Sequence, residues 1–331
     1  HQYLAELVTQ SIPVVAIEVS SHGLDQRRVA GVTFEVALFT HISRDHLDYH
    51  GTLEEYAAAK ARLFSENDCR HAVIGRDDAF SELMLNACPD HVPVTTWSLS
   101  DTSADVFARH LQAHSQGFTA EIHTPWGIDQ LETALLGRFN LENLLAVIAV
   151  LGVQGYPLNK ILEAIQDLTT PPGRMQPFGG GSQPLVLVDY AHTPDAIKSV
   201  LSALREHGAR RLVCVYGCGG DRDPGKRPLM TAAALGGADR VVLTSDNPRT
   251  EDPQKIIGDA LEGVSEQDRN RLEVVVDRHD AITGVIARCE PGDIVVVAGK
   301  GHENYQEIHG VRHHFDDREQ VQGALALREG Q

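Results

Sequence analysis

Cysteine, basic residues and long apolar runs are all in short supply, and each shortage excludes a class of protein. The five cysteines (Cys69, Cys88, Cys214, Cys218 and Cys289) are odd in number, scattered and without a CxxC pair. That excludes a disulfide framework and a structural zinc site, and reduced thiols in a cytoplasm are the expectation. Lys and Arg number 29 against 46 Asp and Glu, a formal net charge of −17. A nucleic-acid partner needs a phosphate-neutralising surface, so none is expected. The longest apolar stretches, such as Leu144–Val153, fall well short of the ~20 residues that span a bilayer, so no membrane association is expected. Aromatics are 5% of the 331 residues, beside 42% hydrophobic and 23% charged. That is a globular profile, and the length suggests about two domains.

An initiator Met and a signal peptide are also missing. His1–Gln10 reads as the tail of a helix running into a strand at Val14–Val19, so the chain is expected to begin inside a domain. Short β-branched runs then alternate with helical periodicity, the pattern of parallel α/β layers. Strands are expected at Val36–Thr40 and Ala72–Ile74, and shorter antiparallel pieces between about 94 and 128. Helices follow at Asn140–Val153 and Leu158–Asp167. Pro and Gly cluster from Thr169 to Pro184, which places a boundary near 172. Beyond it, strands at Leu185–Asp189, Leu212–Tyr216, Arg240–Thr244, Leu272–Val276 and Asp293–Ala298 alternate with helices. Thr193 is an N-cap before Pro194, and Ile197, Val200, Leu201 and Leu204 form an apolar stripe. This is a doubly wound domain, whose ligands belong beyond the C-terminal strand ends.

The densest chemistry lies in Thr40-His-Ile-Ser-Arg-Asp-His-Leu-Asp-Tyr-His50, which suits a metal or phosphate role better than a polar turn. In the next helix Thr52 and Glu55 form a capping box, and Lys60 falls on the apolar stripe of Leu53, Tyr56, Ala57, Leu63 and Phe64. A lysine on a buried face calls for a partner or a function, with snorkelling as the alternative. Glu18, near the end of the Val14–Val19 run, pairs with His46 as the favoured Mg²⁺ ligands, since oxygen and imidazole donors suit that ion beside phosphates. Gly220-Asp-Arg-Asp-Pro-Gly-Lys-Arg227 fits GxxxxGK but ends in Arg where a P-loop needs Ser or Thr, so it is not a nucleotide loop. Its Arg222, Lys226 and Arg227 suit an anionic ligand or a solvated turn equally. Ser245–Thr250 and Gly299–Glu303 are two further strand-end loops. Three loops mixing cations with carboxylates suit a zwitterion better than a pure anion.

These residues resemble the Mur ligase family, most closely its diaminopimelate-adding branch. The resemblance is carried by Glu18-Val-Ser-Ser-His-Gly23, Ser43-Arg-Asp-His-Leu-Asp-Tyr-His-Gly51, Ala57-Ala-Ala-Lys60, Leu136-Gly-Arg-Phe-Asn140 and Gly173-Arg-Met175. It continues through Asp189-Tyr-Ala-His-Thr-Pro194, Gly217-Cys-Gly-Gly-Asp-Arg-Asp223, Asp246-Asn-Pro-Arg249 and Gly299-Lys-Gly-His-Glu303. It implies an α/β fold in two domains: a truncated P-loop-type central domain over 1–172 and a Rossmann-like, amino-acid-binding domain over 173–331. The implied activity is ATP-dependent, ADP-forming amide ligation in peptidoglycan precursor synthesis, in the cytoplasm and by a monomer. Meso-diaminopimelate is added to UDP-N-acetylmuramoyl-L-alanyl-D-glutamate through an acyl phosphate. The implied cofactor is Mg²⁺, held by Glu18, His46 and Lys60, the last as a carbamate formed with CO₂. Ser20, Gln26 and Arg28 match positions contacting the UDP-muramoyl-peptide, and Asn140, Arg174, Asp189 and His192 match motifs lining the ATP site. Arg222, Asp246, Asn247, Pro248, Arg249, Gly299 and Glu303 match the diaminopimelate pocket.

The family's N-terminal domain and its P-loop have no counterpart in this sequence, so the chain is expected to be a fragment inactive alone. His41 also stands where relatives usually carry Asn. The rival readings are a lysine-adding Mur ligase, a folylpolyglutamate-synthetase-like ligase, and a non-catalytic module binding an amino acid or muropeptide. Asp246-Asn-Pro-Arg249 speaks against lysine.

Overall fold

The structure, a computed structural model, describes residues 2–43, 46–114 and 116–329. The chain divides into two compact units. One comprises His1–Leu111, Thr119–Glu132 and Phe139–Gln166, the other Gln112–Phe118, Thr133–Arg138 and Asp167–Gln331.

The first unit opens with α1 (Gln2–Thr9) and α2 (Ser21–Asp25), then β1 (Ala37–Phe39), α3 (Leu47–His50), α4 (Leu53–Ser65), β2 (Ala72–Gly75) and α5 (Ser81–Ala87). It continues through β3 (Val94–Ser98), β4 (Val106–His114), β5 (Gly117–Thr124), β6 (Gly127–Thr133), α6 (Arg138–Val153) and α7 (Leu158–Gln166). The six strands lie side by side in chain order, with β1–β2, β2–β3 and the start of β3–β4 parallel. Ala57, Ala61 and Phe64 of α4 cluster with Ala37, Phe39, Ala72 and Ile74 of the sheet and Met84 of α5. Small residues one turn apart let the helix approach the strands closely. Thr52 caps α4 by accepting the Glu55 N–H at 3.1 Å.

Two expectations fail in this unit. Val14–Val19 is not a strand: residues 12–20 are irregular, and Val14, Val15 and Ile17 are 63%, 41% and 43% exposed. A β-branched run becomes a strand only where a neighbour supplies ladder partners, and among the described residues β1, at the sheet edge, pairs with β2 alone. Nor are the pieces after 94 short: β4, β5 and β6 have 9, 8 and 7 residues, and β3 joins the sheet in parallel.

The second unit contains β7 (Gln176–Gly179), β8 (Leu185–Asp189), α8 (Pro194–Glu206), β9 (Arg211–Cys218), α9 (Lys226–Gly237), β10 (Arg240–Ser245), α10 (Pro253–Ala260) and α11 (Glu266–Arg269). Then come β11 (Leu272–Val274), α12 (Arg278–Arg288), β12 (Asp293–Ala298), β13 (Tyr305–Ile308), β14 (Val311–His314) and α13 (Asp317–Glu329). Its sheet has the order β11-β10-β9-β12-β8-β7, parallel except for β7 against β8. The chain builds outward from β8 and then returns β12 between β8 and β9. That reversal is the switch point beside which doubly wound sheets bind ligands. Buried valines on β8, β9, β10 and β12 form the core with α12 and α13. Thr193 caps α8, with Pro194 in its first turn.

Candidate functional site

A cavity of about 390 Å³ opens at the C-terminal strand ends of the second unit. The loop after β8 contributes Tyr190 and His192, and the one after β9 contributes Gly217, Gly219, Arg222 and Lys226. Asp246, Asn247 and Arg249 follow β10, and Gly299 and Glu303 follow β12. Sequence-distant loops therefore line one cavity that carries both signs of charge. A second cavity, of about 420 Å³, lies at the opposite ends of β9–β11. Its Arg211, Arg271 and Arg288 are already engaged by Asp293, Asp268 and Glu273.

Arg249 sits at the cavity in the left-handed region, φ 52°. Its backbone is clipped there by β13: its N–H donates to Glu307 O at 2.9 Å, and its carbonyl accepts from His309 N at 2.6 Å. One guanidinium nitrogen donates to Gly220 O at 2.5 Å. A strained non-glycine conformation that neighbours over-determine is typical of binding loops. Behind Glu303, its Oε2 accepts from Asn247 Nδ2 at 2.8 Å and lies 3.6 Å from Lys300 Nζ. Burial pulls the Lys300 ammonium below its usual pKa, while Asp246 resists that fall. Cys218 lies beneath the cavity, and burial pushes its thiol up to about 12, so it is no nucleophile at neutral pH.

Gly299 has φ 117°, and a Cβ there would stand 2.6 Å from Asp246 Oδ2. Gly299→Ala is therefore expected to displace that carboxylate and to lower stability by about 1–3 kcal/mol, because an L side chain is strained at this φ. Denaturant unfolding of the variant checks this; an unchanged midpoint would contradict it.

Asp189 is buried, and both its oxygens are occupied: Oδ2 accepts from Met175 N and Oδ1 from Ala191 N, each at 2.8 Å. It staples residues 173–175 to the end of β8. Arg174 is thereby placed over the Tyr190 ring, 4.8 Å from its centroid, and His192 packs on that ring at 4.7 Å. Asn140 stands in the first turn of α6.

In the first unit, His22, His46, Tyr49, His50 and Tyr56 form a contiguous ring cluster with centroid separations of 4.1–5.8 Å. His46, at φ 55°, precedes α3. Lys60 Nζ lies 5.3 Å from the Tyr56 centroid, so Lys60 and His46 share one ring as neighbour. Burial lowers the His50 pKa, and neighbouring His22 adds to that effect. Ser20 caps α2 through Gly23 N, and Gln26 binds Arg28 through Oε1 and Tyr49 through Nε2. Glu18 does not end a strand as expected; it lies exposed in the irregular segment. Arg44 and Asp45 of the expected cluster lie outside the described residues, as does the side chain of Asp48. No three metal-ligating side chains converge among the described residues. His46 and Lys60, both next to the Tyr56 ring, would leave most positions around a Mg²⁺ ion to water and phosphate oxygens, the donors that ion ordinarily takes.

One candidate must be withdrawn. Arg227 does not face a ligand: it is 1% exposed and bonds both oxygens of Glu251, at 2.7 and 3.0 Å, and Asp259 at 2.6 Å. Its α9 position turns inward, and partners 24 and 32 residues on satisfy it. Those hydrogen bonds hold the Glu251 carboxyl at about 2, against an ordinary 4.5. A carboxyl lowered on folding stabilises the fold fully above its unfolded value and loses that contribution as pH falls through the folded one. The stability gap between the wild type and Glu251→Gln is thus expected to be constant above pH 5 and to close between about 4.5 and 2. Urea titrations across that range test it, and a gap independent of pH would contradict it. Tyr190, Lys300 and Arg278 were not singled out from the sequence: the first lines the cavity and the other two back it. Only the Asp-Tyr-Ala-His run hinted at Tyr190.

Fold and cavity together define a class: a two-unit α/β protein whose second unit carries a cavity of mixed charge at its strand ends. Comparison narrows the class. Residues 1–151 match the Mur ligase middle domain, and residues 173–301 match the Mur ligase, glutamate ligase domain. The chain belongs to the Mur ligase family. It is 51% identical over 326 residues to the UDP-N-acetylmuramoyl-L-alanyl-D-glutamate--2,6-diaminopimelate ligase of Pseudomonas aeruginosa, covering 98% of this chain and 66% of that protein. The ligase of the same name from Coxiella burnetii is 45% identical over 328 residues, with 98% and 67% covered. A solved structure of a ligase of that name superposes with a TM-score of 0.72 at 47% identity, covering 94% of this chain and 64% of the other. The chain thus spans about two thirds of the length of these relatives. Mycobacterium tuberculosis folylpolyglutamate synthase, at 24% identity and TM-score 0.61 over 80% of the chain, shares the fold.

Proposed function

We propose that the chain is the central and C-terminal part, divided near residue 172, of a cytoplasmic ligase that joins meso-diaminopimelate to UDP-N-acetylmuramoyl-L-alanyl-D-glutamate using ATP. The observation that carries this reading is the mixed-charge cavity, lined by Arg249 as well as by Asp246 and Glu303. One end of diaminopimelate is itself an amino acid: its carboxylate suits the guanidinium fork of Arg249, and its ammonium suits Asp246 and Glu303. Arg222 and Lys226 add positive charge at the cavity. The ligand is then held by one end, and the amine at its other end is presented for reaction.

In the reaction, a D-glutamate carboxylate oxygen attacks the γ-phosphorus of ATP and ADP leaves. The amine nitrogen then attacks the acyl carbon, and phosphate departs as the amine loses a proton. Arg174 and His192, on the Tyr190 ring, and Asn140 are assigned to ATP; Asp189 positions Arg174. Ser20, Gln26 and Arg28 are assigned to the muramoyl-peptide. Mg²⁺, when bound by Glu18, His46 and a carboxylated Lys60, would neutralise phosphate charge. The half-buried position of Lys60, next to the Tyr56 ring that His46 also adjoins, supports that role. ¹³C-bicarbonate NMR is expected to show a carbamate signal that Lys60→Ala removes; identical spectra would exclude the modification.

The overall test is ADP release by a chain extended to the relatives' full length, given the UDP-linked dipeptide and either meso-diaminopimelate or L-lysine. Turnover with diaminopimelate and little with lysine is expected. Equal turnover with both would favour the lysine-adding reading, and binding without turnover a non-catalytic module.

A further inference from the structure

We propose that Lys300, which cannot itself touch a ligand, is the positioning residue that holds Glu303 ready for the ligand's ammonium group. The inference rests on the amino-acid-binding reading of the cavity. Lys300 is 0% exposed and does not line the cavity. Its Nζ donates to Asn247 Oδ1 at 3.3 Å and to the Tyr305 carbonyl. Asn247 Oδ1 also accepts the Glu307 N–H at 2.9 Å. An amide atom facing two donors must be the oxygen. Nδ2 is thereby directed at Glu303 and donates to Oε2 at 2.8 Å. That same Oε2 is 3.6 Å from the Lys300 ammonium.

One oxygen of Glu303 is therefore fixed from behind by a neutral donor and a buried cation, while no described residue donates to Oε1. An ammonium site made of two carboxylates, Asp246 and Glu303, which line the same cavity, would repel itself without such a counter-charge. Lys300 supplies it from within the fold, so the carboxylates are preorganised before the ligand arrives. Any competing structural role lies in its bond to Tyr305 O, which closes the turn between β12 and β13.

The experiment compares Lys300→Met, Glu303→Gln and the double variant, using meso-diaminopimelate as the calorimetric probe on the chain as it stands. In the full-length ligase it also compares KM for the amino acid with kcat and with KM for ATP. Each single variant is expected to bind roughly 10- to 100-fold more weakly. The double variant should be no worse than the weaker single, because both remove one interaction. Amino-acid KM should rise while kcat and ATP KM hold. If Lys300→Met fails to fold, Lys300→Gln removes the charge while retaining an amide donor for the Tyr305 carbonyl; it should show the same loss. Losses that multiply in the double variant, wild-type affinity in Lys300→Gln, or ATP and amino-acid KM rising together would overturn the proposal. Absence of binding by the unaltered chain would instead overturn the amino-acid reading, and the proposal with it.

Discussion

Replacing Arg249 by alanine is expected to weaken the use of meso-diaminopimelate by roughly 30- to 5,000-fold while changing L-lysine little. The two amino acids differ by the one carboxylate that the guanidinium would take. Truncating one partner of a buried, hydrogen-bonded charge pair costs about 2–5 kcal/mol, which is that range at about 1.36 kcal/mol per decade. Alanine is an L residue too, so the strain of φ 52° is common to both proteins, and the backbone clip to Glu307 and His309 involves no side-chain atoms of residue 249. What disappears is the fork, including its bond to Gly220 O. Arg249→Lys separates charge from geometry: it should recover only part of the loss, because an ammonium cannot bind a carboxylate bidentately. The check is kcat/KM for each amino acid in the full-length ligase. An equal loss for both would remove Arg249 from the selectivity of the site.

The second large effect is on stability. Arg278 and Asp317 are both 0% exposed and form a two-point pair, Nε–Oδ1 at 2.8 Å and Nη2–Oδ2 at 2.7 Å. Arg278 also donates to Ser245 O and Ala298 O, the last residues of β10 and β12, from which the cavity loops spring. Arg278→Met strands a buried carboxylate and two carbonyls. About 3–5 kcal/mol of stability should be lost, a large share of the ~5–15 kcal/mol that folded proteins possess. Adding Asp317→Leu removes the stranded charge, so the double variant should be more stable than Arg278→Met. Denaturant midpoints for the three proteins decide the matter; a double variant less stable than the single would mean that the pair is not what matters.

Local signals in the sequence reach far in the second unit and less far in the first. Thr193 and Pro194 announce α8 because a cap and a first-turn proline are local chemistry. The buried valine runs announce β8, β9 and β12 for the same reason. The cavity was legible because three loops of like composition each follow a strand, and parallel strands deliver their loops to one edge. Val14–Val19 misleads because a strand is a property of pairs. Arg227 misleads because a guanidinium in a basic loop looks the same whether it meets solvent or meets Glu251 and Asp259 from later in the chain. Lys300 and Arg278 lack any local signature: a buried cation is recognised only by its partners, and those arrive from distant strand ends, loops and helix α13.

The most direct test of the central claim is a crystal structure of the chain with meso-diaminopimelate. The account predicts the ligand in the 390 Å³ cavity, one carboxylate on Arg249, the adjacent ammonium against Asp246 and Glu303, and the other amino-acid end directed outward. A ligand bound with its ammonium beside Arg249, or bound elsewhere on the second unit with this cavity empty, would contradict it.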